Sequence, residues 1–351
     1  MSIRIYSIYD IKDISFLFIF KIYILMKREN VIEKSKRPFK IIKNAYLWVI
    51  IGVIGFIFGI GLFTFNAQYS EEFTGGVSLT VENQVTSTVA DQIKTALTEK
   101  GYKDVQVSLN TQEEGTVVKI HTSIMNDEKV IELSQDIKNY LLTANVITSQ
   151  DEILSQSITG PSVGAYMQKT AFRALVVGLF FIIIYMFISF YSVRNYISPG
   201  TLAVITIGTM LFDISIPSGA YGIRMAINST IQVDTVFIIA ILTCMGYSIN
   251  DTIIIFDRIR ENLVKSKKLD KVVYGEIFED SLWQTMRRSI ATSVSTLLVI
   301  IFMFLFGAGM IQTFAFAVGI GVIAGSYSSI FIAAPLAYII TGKYKKEKNR
   351  I

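Results

Sequence analysis

The 351-residue sequence is short of most things a soluble enzyme needs. It has one cysteine, one histidine and five prolines, and only 17% of its residues are charged, against roughly 25% in soluble domains. With Cys244 alone, no disulfide framework can form within the chain, and any water-exposed domain must hold itself together by packing. His121 has no second histidine or cysteine near it in sequence to complete a ligand set, which argues against a zinc site. No histidine falls within an apolar run, so a Ser/His hydrolytic dyad inside a membrane is excluded. The phosphate-cradling pattern GxxxxGKS/T is also missing, and any work the protein does is not driven by its own nucleotide hydrolysis. No metal, no cofactor and no enzymatic activity are expected.

What the sequence has in abundance is apolar length. Hydrophobic residues make up 52% of it, and about 20 of them in a row cross the hydrocarbon core. Six segments qualify: Ala45 to Phe65, Ala171 to Tyr191, Thr201 to Ile216, Val236 to Phe256, Ser289 to Phe306 and Thr313 to Ile340. The third is the weakest, because Pro217 and Gly219 limit it. Ile14 to Phe20 is too short and broken to span. The basic lead-in after Met26 suggests a chain that begins there, the alternative being a helix lying on the inner leaflet.

Charge sets the orientation. Lys27 to Lys43, the segment from Arg258 to Arg288 and the tail from Lys343 are rich in Lys and Arg, and such loops stay in the cytoplasm. From Gln68 to Lys169 there are 14 acidic residues against seven basic ones, which puts that segment outside. The net charge of +5 is therefore a topology signal and not a nucleic-acid footprint, since no aromatic stacking surface accompanies the basic residues. The expected organisation is a cytoplasmic segment (1–44), a first transmembrane helix (45–65), an extracytoplasmic domain (66–168), a five-helix transmembrane domain (169–342) with a cytoplasmic loop (257–288), and a basic cytoplasmic tail (343–351). The chain is thus read as multi-pass, embedded in membrane lipids, with both termini cytoplasmic.

The external segment alternates strand and helix patterns. Val77 to Val81, Val105 to Leu109, Val117 to Ile124 and Ile153 to Ile158 favour strand. Thr88 to Lys100, with Thr88 and Asp91 spaced as a capping box, and Asp127 to Leu142 carry single apolar stripes. Strand, helix, strand, strand, helix, strand is the order of the ferredoxin-like split motif. The fold class is therefore a polytopic α-helical membrane protein of six transmembrane helices with one α+β ferredoxin-like domain.

Inside the membrane, charge is the exception that carries information. Asp251 lies roughly 10 Å within the cytoplasmic rim, and aspartate is too short to snorkel far, which favours function. Arg288 enters the fifth helix from the same side, where it serves either as a partner for Asp251 or as a topology anchor. Asn250 is adjacent. Asp213 is a second intramembrane acid near the outer surface, open to function or to simple hydration, and Asp234 reads as a helix-dipole partner or rim residue. Gly55 and Gly59, and Gly321 and Gly325 with Ser326 and Ser328 nearby, allow close helix packing.

Four blocks of sequence then resemble one family. Glu72-Phe73-Thr74-Gly75-Gly76 is similar to a D-F-T-G-G motif, and Gly160-Pro161-Ser162-Val163-Gly164 to V-G-P-x-V-G. Gly246-Tyr247-Ser248-Ile249-Asn250-Asp251-Thr252 leads into Phe256-Asp257-Arg258-Ile259-Arg260-Glu261-Asn262, and Gln284-Thr285-Met286-Arg287-Arg288-Ser289 precedes the fifth helix. Together they resemble the SecD/SecF family of the bacterial Sec protein-export machinery, on its SecF side, itself related to resistance-nodulation-division transporters. The resemblance implies partnership with SecD, the SecYEG channel and translocating preproteins in a bacterial cell membrane. It also implies coupling of the proton gradient to late steps of export, with Asp251 and Arg288 in proton conduction. A proton-coupled small-molecule exporter and a non-energetic scaffold are the rival readings. Phe212 stands before Asp213 where the family has histidine, Glu72 replaces an aspartate, and the outer loop Pro217 to Gln232 looks long.

Overall fold

A computed structural model describes residues 39–348 apart from 84, 113–114, 123–126, 192–193, 195–196, 229–230 and 267–270. The start read at Met26, the run Ile14 to Phe20 and most of the N-terminal basic segment lie outside the described residues. Among the described residues, six helices are long and apolar enough to cross a membrane. They are α1 (Ala45–Asn66), α5 (Pro161–Phe190), α6 (Pro199–Ile227), α7 (Thr235–Lys265), α8 (Lys271–Phe306) and α9 (Met310–Ser328), the last continuing through a π-helical turn at Ser329–Ala333 into α10 (Ala334–Lys348). Between α1 and α5 stand the short turn α2 (Glu71–Thr74), the strands β1 (Gly76–Val81), β2 (Gln106–Gln112), β3 (Gly115–His121) and β4 (Ile153–Thr159), and the helices α3 (Ser87–Glu99) and α4 (Asp127–Thr143).

The strands form one antiparallel sheet in the order β2-β3-β1-β4. Each crossover returns one place away, with a strand of the other unit between, which is the split arrangement the sequence pattern calls for. Val77, Leu79 and Val81 of β1 and Val118 and Ile120 of β3 supply the sheet side of the core, and Ile93 and Leu97 of α3 with Val130, Leu133, Ile137 and Leu141 of α4 supply the other. The period of 2 in the strands and 3.6 in the helices brings these residues onto one buried layer.

Three expectations need correction. The third span does not stop at Ile216, since α6 runs through Pro217 to Ile227, so most of the supposed long loop is helix. Proline removes one ladder bond, the one that Asp213 O would accept, but α6 is carried past it packed backbone to backbone on α1 at Ser215 and Gly219, and in such a bundle hydroxyls also bond the adjacent carbonyls: Ser215 donates to Phe212 O at 2.8 Å and Ser218 to Ile214 O at 2.7 Å. The Thr88 capping box is not made, because α3 begins at Ser87 and its N-cap residue is Thr86, which makes no side-chain cap. Most of 257–288 is also helical, the continuation of α7 and α8 beyond the apolar runs.

Glycine sets the closest helix contact. A Cβ on Gly59 of α1 would lie 2.5 Å from Ser215 O of α6, and one on Gly219 of α6 would lie 2.7 Å from Gly59 Cα. Backbone touches backbone here, the small-residue packing that lipid-embedded helices use.

Candidate functional site

Helix α7 turns a polar stripe into an apolar bundle. Cys244, Ser248, Asp251, Thr252 and Ile255 are all buried, at spacings that keep them on one side of the helix. Close approach on that side is again a glycine effect, since a Cβ on Gly325 of α9 would come within 2.9 Å of Ser248 Cβ.

Two carboxylates sit in this seam. Asp213 of α6 has no solvent exposure and Asp251 has 2%. Ser248, one turn before Asp251, donates its hydroxyl to Asp213 Oδ2, and the Ser328 hydroxyl is a second polar neighbour of Asp213. Asp213 Oδ1 has no hydrogen-bond partner, and neither has Asp251 Oδ1. The hydroxyls continue on either side: Thr252 Oγ1 and Ser329 Oγ are 3.0 Å apart, Ser293 and Ser326 2.6 Å, and the Tyr247 phenol and Thr296 2.8 Å. Ser329 opens the π-helical turn and also bonds Gly325 O at 2.8 Å, and such turns recur at functional sites.

The structure joins some of the expected residues and separates others. Asp213, expected near the outer surface and open to hydration, is instead locked inside the bundle and linked through Ser248 to the helix face that bears Asp251. The Ser289 hydroxyl stands next to the Asp251 carboxyl, and Arg288, exposed on α8, reaches that carboxyl with its charge. Asn250 and Gly246 occupy the opposite, exposed side of α7. Chemically, the seam offers two carboxyl groups, each with hydroxyls beside it, Ser248 and Ser328 at Asp213 and Ser289 at Asp251, and a hydroxyl both donates and accepts. Such an array can hold a proton at either acid. The stripe of Ser326, Ser328 and Ser329 reads in sequence as small packing residues, and its polar half becomes visible only with α7 beside it.

The remaining family-like residues build the outer junction. Val233 N donates to Gln68 O at 2.7 Å and Ser70 N to Val233 O at 3.0 Å. Phe73 is buried, and its carbonyl accepts from Gln168 Nε2 at 2.9 Å. Gly164 in the first turn of α5 packs so closely on that carbonyl that a Cβ would be 2.7 Å away. Thr74 Oγ1 bonds Ser70 O at 2.9 Å. Gly75, at φ +81°, turns the chain into β1 at Gly76, and a Cβ there would meet Pro161, the first residue of α5, at 3.2 Å. Gly160, just before it, lies hard against Asp127 of α4, which accepts from Ser162 Oγ at 2.5 Å. At the start of α7, Asp234 Oδ1 accepts from Phe237 N at 2.8 Å and Glu72 Oε2 from Thr235 N at 2.9 Å. Burial, with the Glu72 charge beside it, pushes the Asp234 carboxyl above its ordinary range against the opposing pull of the Phe237 amide and Lys119.

At the opposite end of the bundle, Glu279 of α8 is 6% exposed and accepts from the backbone of Ile41 at 3.0 Å and of Ile42 at 2.8 Å, and from Trp283 Nε1 at 2.9 Å. It caps the entry of the first span from 237 residues away. Nothing local in the sequence marks it.

Residues 140–343 match a family model described as protein export membrane protein SecD/SecF, C-terminal. The protein translocase subunit SecF of Acidaminococcus fermentans is 30% identical over 315 residues, covering 88% of this chain and all of that one. The SecDF subunit of Thermus thermophilus is 28% identical over 285 residues, which are 80% of this chain and 35% of that protein. The crystal structure of SecDF from the Thermus organism, described as a translocon-associated membrane protein, superposes with a TM-score of 0.68 at 26% identity, over 89% of this chain and 39% of that chain.

Proposed function

This chain belongs to the SecD/SecF family of protein-export membrane proteins, on its SecF side, and from that premise we propose that it couples the proton gradient to late steps of protein export. Its relatives are named translocase subunits, and the multi-pass membrane character follows from the six spans. SecD is the first partner in this reading, because a relative carries both names in one chain. SecYEG and the translocating preprotein follow from the role. The orientation puts both termini in the cytoplasm and residues 66–168 outside, with the five-helix unit 169–342 as the working part.

The observation that carries the reading is the pair of buried carboxylates, Asp213 and Asp251, in one hydroxyl-lined seam. An ionisable side chain that deep is costly, and its usual explanation is function. Asp251 takes up a proton arriving from outside through Asp213 and Ser248, and returns to the ionised form under the charge of Arg288. The change in charge alters how α7 packs on the glycine-lined face of α9, and that movement is delivered to the external domain. Replacing Asp251 by Asn fixes the neutral form. Gradient-dependent export in membrane vesicles should then fall to the uncoupled level while the protein still inserts and binds SecD. Full export by that variant would refute the coupling role and leave a scaffold.

A further inference from the structure

Helix α7 carries Asp251 in its inner half, and its outer end is not free. The first N–H groups of a helix have no partner within it. In α7 one is taken by the helix's own cap, Asp234, and another, that of Thr235, by Glu72 from 163 residues earlier. Glu72 lies in the one-turn helix α2, four residues before β1. Strand β1 is an inner strand of the external sheet, paired to β3 on one side and β4 on the other. The neighbouring Glu71 is held by Lys119 of β3 at 3.4 Å, and Lys119 also reaches Gln232 Oε1 at 3.4 Å. No flexible loop intervenes between the end of the acid-bearing helix and the middle of the domain.

We infer that Glu72 is a positioning residue that latches the external domain to the N-terminus of α7, so that an axial or tilting shift of α7 is handed through α2 into β1. The inference rests on the coupling reading for its purpose, but the latch itself is a mechanical statement about two bodies. Its ingredients complement one another: a carboxylate on a helix N-terminus is favoured by the dipole as well as by the hydrogen bond. The strap's main chain adds register through the Gln68, Ser70 and Val233 bonds, while Glu72 supplies the charge-assisted hydrogen bond to the helix end itself.

The experiment uses the full chain in lipid nanodiscs, with spin labels at exposed Glu99 of α3 and exposed Ile239 of α7, in a Cys244→Ala background. Two variants remove the tie from opposite sides. Glu72→Ala deletes the acceptor. Thr235→Pro deletes the donor at the first helical position, where proline is tolerated, and Asp234 before it is already extended at φ −125°, as a residue preceding proline must be. Both should broaden the inter-label distance distribution and raise its detached fraction about tenfold, the effect of losing one charge-assisted hydrogen bond. Glu72→Gln, which keeps an acceptor oxygen, should recover at least half of the wild-type narrowness, whereas Glu72→Met, which keeps the volume without the acceptor, should not, and rescue by Glu72→Met would overturn the latch in favour of a merely space-filling role. A wild-type distribution in both Glu72→Ala and Thr235→Pro overturns the latch. Broadening in both, together with full export by Asp251→Asn, keeps the latch and removes the proton reading.

Discussion

Glu279 offers a test in which one side chain carries a calculable load. Its carboxylate accepts from two consecutive backbone amides at the start of the first span and from the Trp283 indole, beside a buried apolar cluster that includes Ile41, Ile42, Phe278 and Leu282. Substitution by Ala leaves the Ile41 and Ile42 amides with no acceptor at a site where water is excluded. Hydrogen bonds to charged groups are worth about 1.5 to 3 kcal/mol each, but bonds sharing one carboxylate do not add. A total of about 3 kcal/mol is therefore expected, or roughly a hundredfold in the local opening equilibrium. Glu279→Gln keeps one carbonyl oxygen but turns an NH₂ donor toward the second amide, and should cost about 2 kcal/mol, roughly thirtyfold. Hydrogen–deuterium exchange of the Ile41 and Ile42 amides in nanodiscs reads this directly, with exchange fastest in Glu279→Ala, intermediate in Glu279→Gln and slowest in the parent. Exchange in Glu279→Ala within about threefold of the parent would refute the assignment of Glu279 as the cap.

Two further outcomes follow from geometry and charge. Gly219→Ala places a Cβ 2.7 Å from Gly59 Cα, and overpacking of this kind costs about 1 to 3 kcal/mol. Its unfolding midpoint in a detergent titration should drop, whereas Gly61→Ala, with nothing within 4 Å of the new Cβ, should leave the midpoint in place. In the external domain, the Thr148 side chain, then the Thr148 amide, hold the Glu152 carboxyl below its ordinary value. A depressed carboxylate stabilises the fold above its unfolded value, and that contribution is lost as pH falls through the lower folded value. Amide protection factors around Thr148, taken relative to the intrinsic exchange rate at each pH, should therefore fall on acidification below about pH 4, and Glu152→Gln should flatten that dependence.

The parts of the molecule that were legible in advance are those written in a local period. All four strands and both domain helices fall within a few residues of their expected bounds, because alternation and the 3.6-residue stripe are properties of the segment itself. Asp251 was legible because an acid amid apolar residues needs no partner to be conspicuous. Pro217 misled because a proline rule from water-soluble helices was applied where α6 is packed backbone to backbone on α1 on either side of it, at Ser215 and Gly219. Glu279 left no trace, since it caps a helix far away in sequence and an acidic residue in a polar stretch looks like any other, while Glu72 was in view inside a family-like block but its bond to Thr235 required α2 and α7 to be brought together. Ser248 was in view inside a family-like block, but its bond to Asp213 required α6 and α7 to be brought together.

The backbone contact between α1 and α6 has a consequence for how the protein is made. The first span is synthesised and threaded into the bilayer long before residue 219 leaves the ribosome, and the whole external domain and α5 are built in the interval. During that time the groove at Gly55 and Gly59 faces lipid. The polypeptide is thus held for well over a hundred residues of synthesis by a helix that lacks its principal neighbour. Damage to the Gly59 and Gly219 pairing should then appear first in the cell as chains cleared by quality-control proteases, with the surviving molecules close to normal in activity.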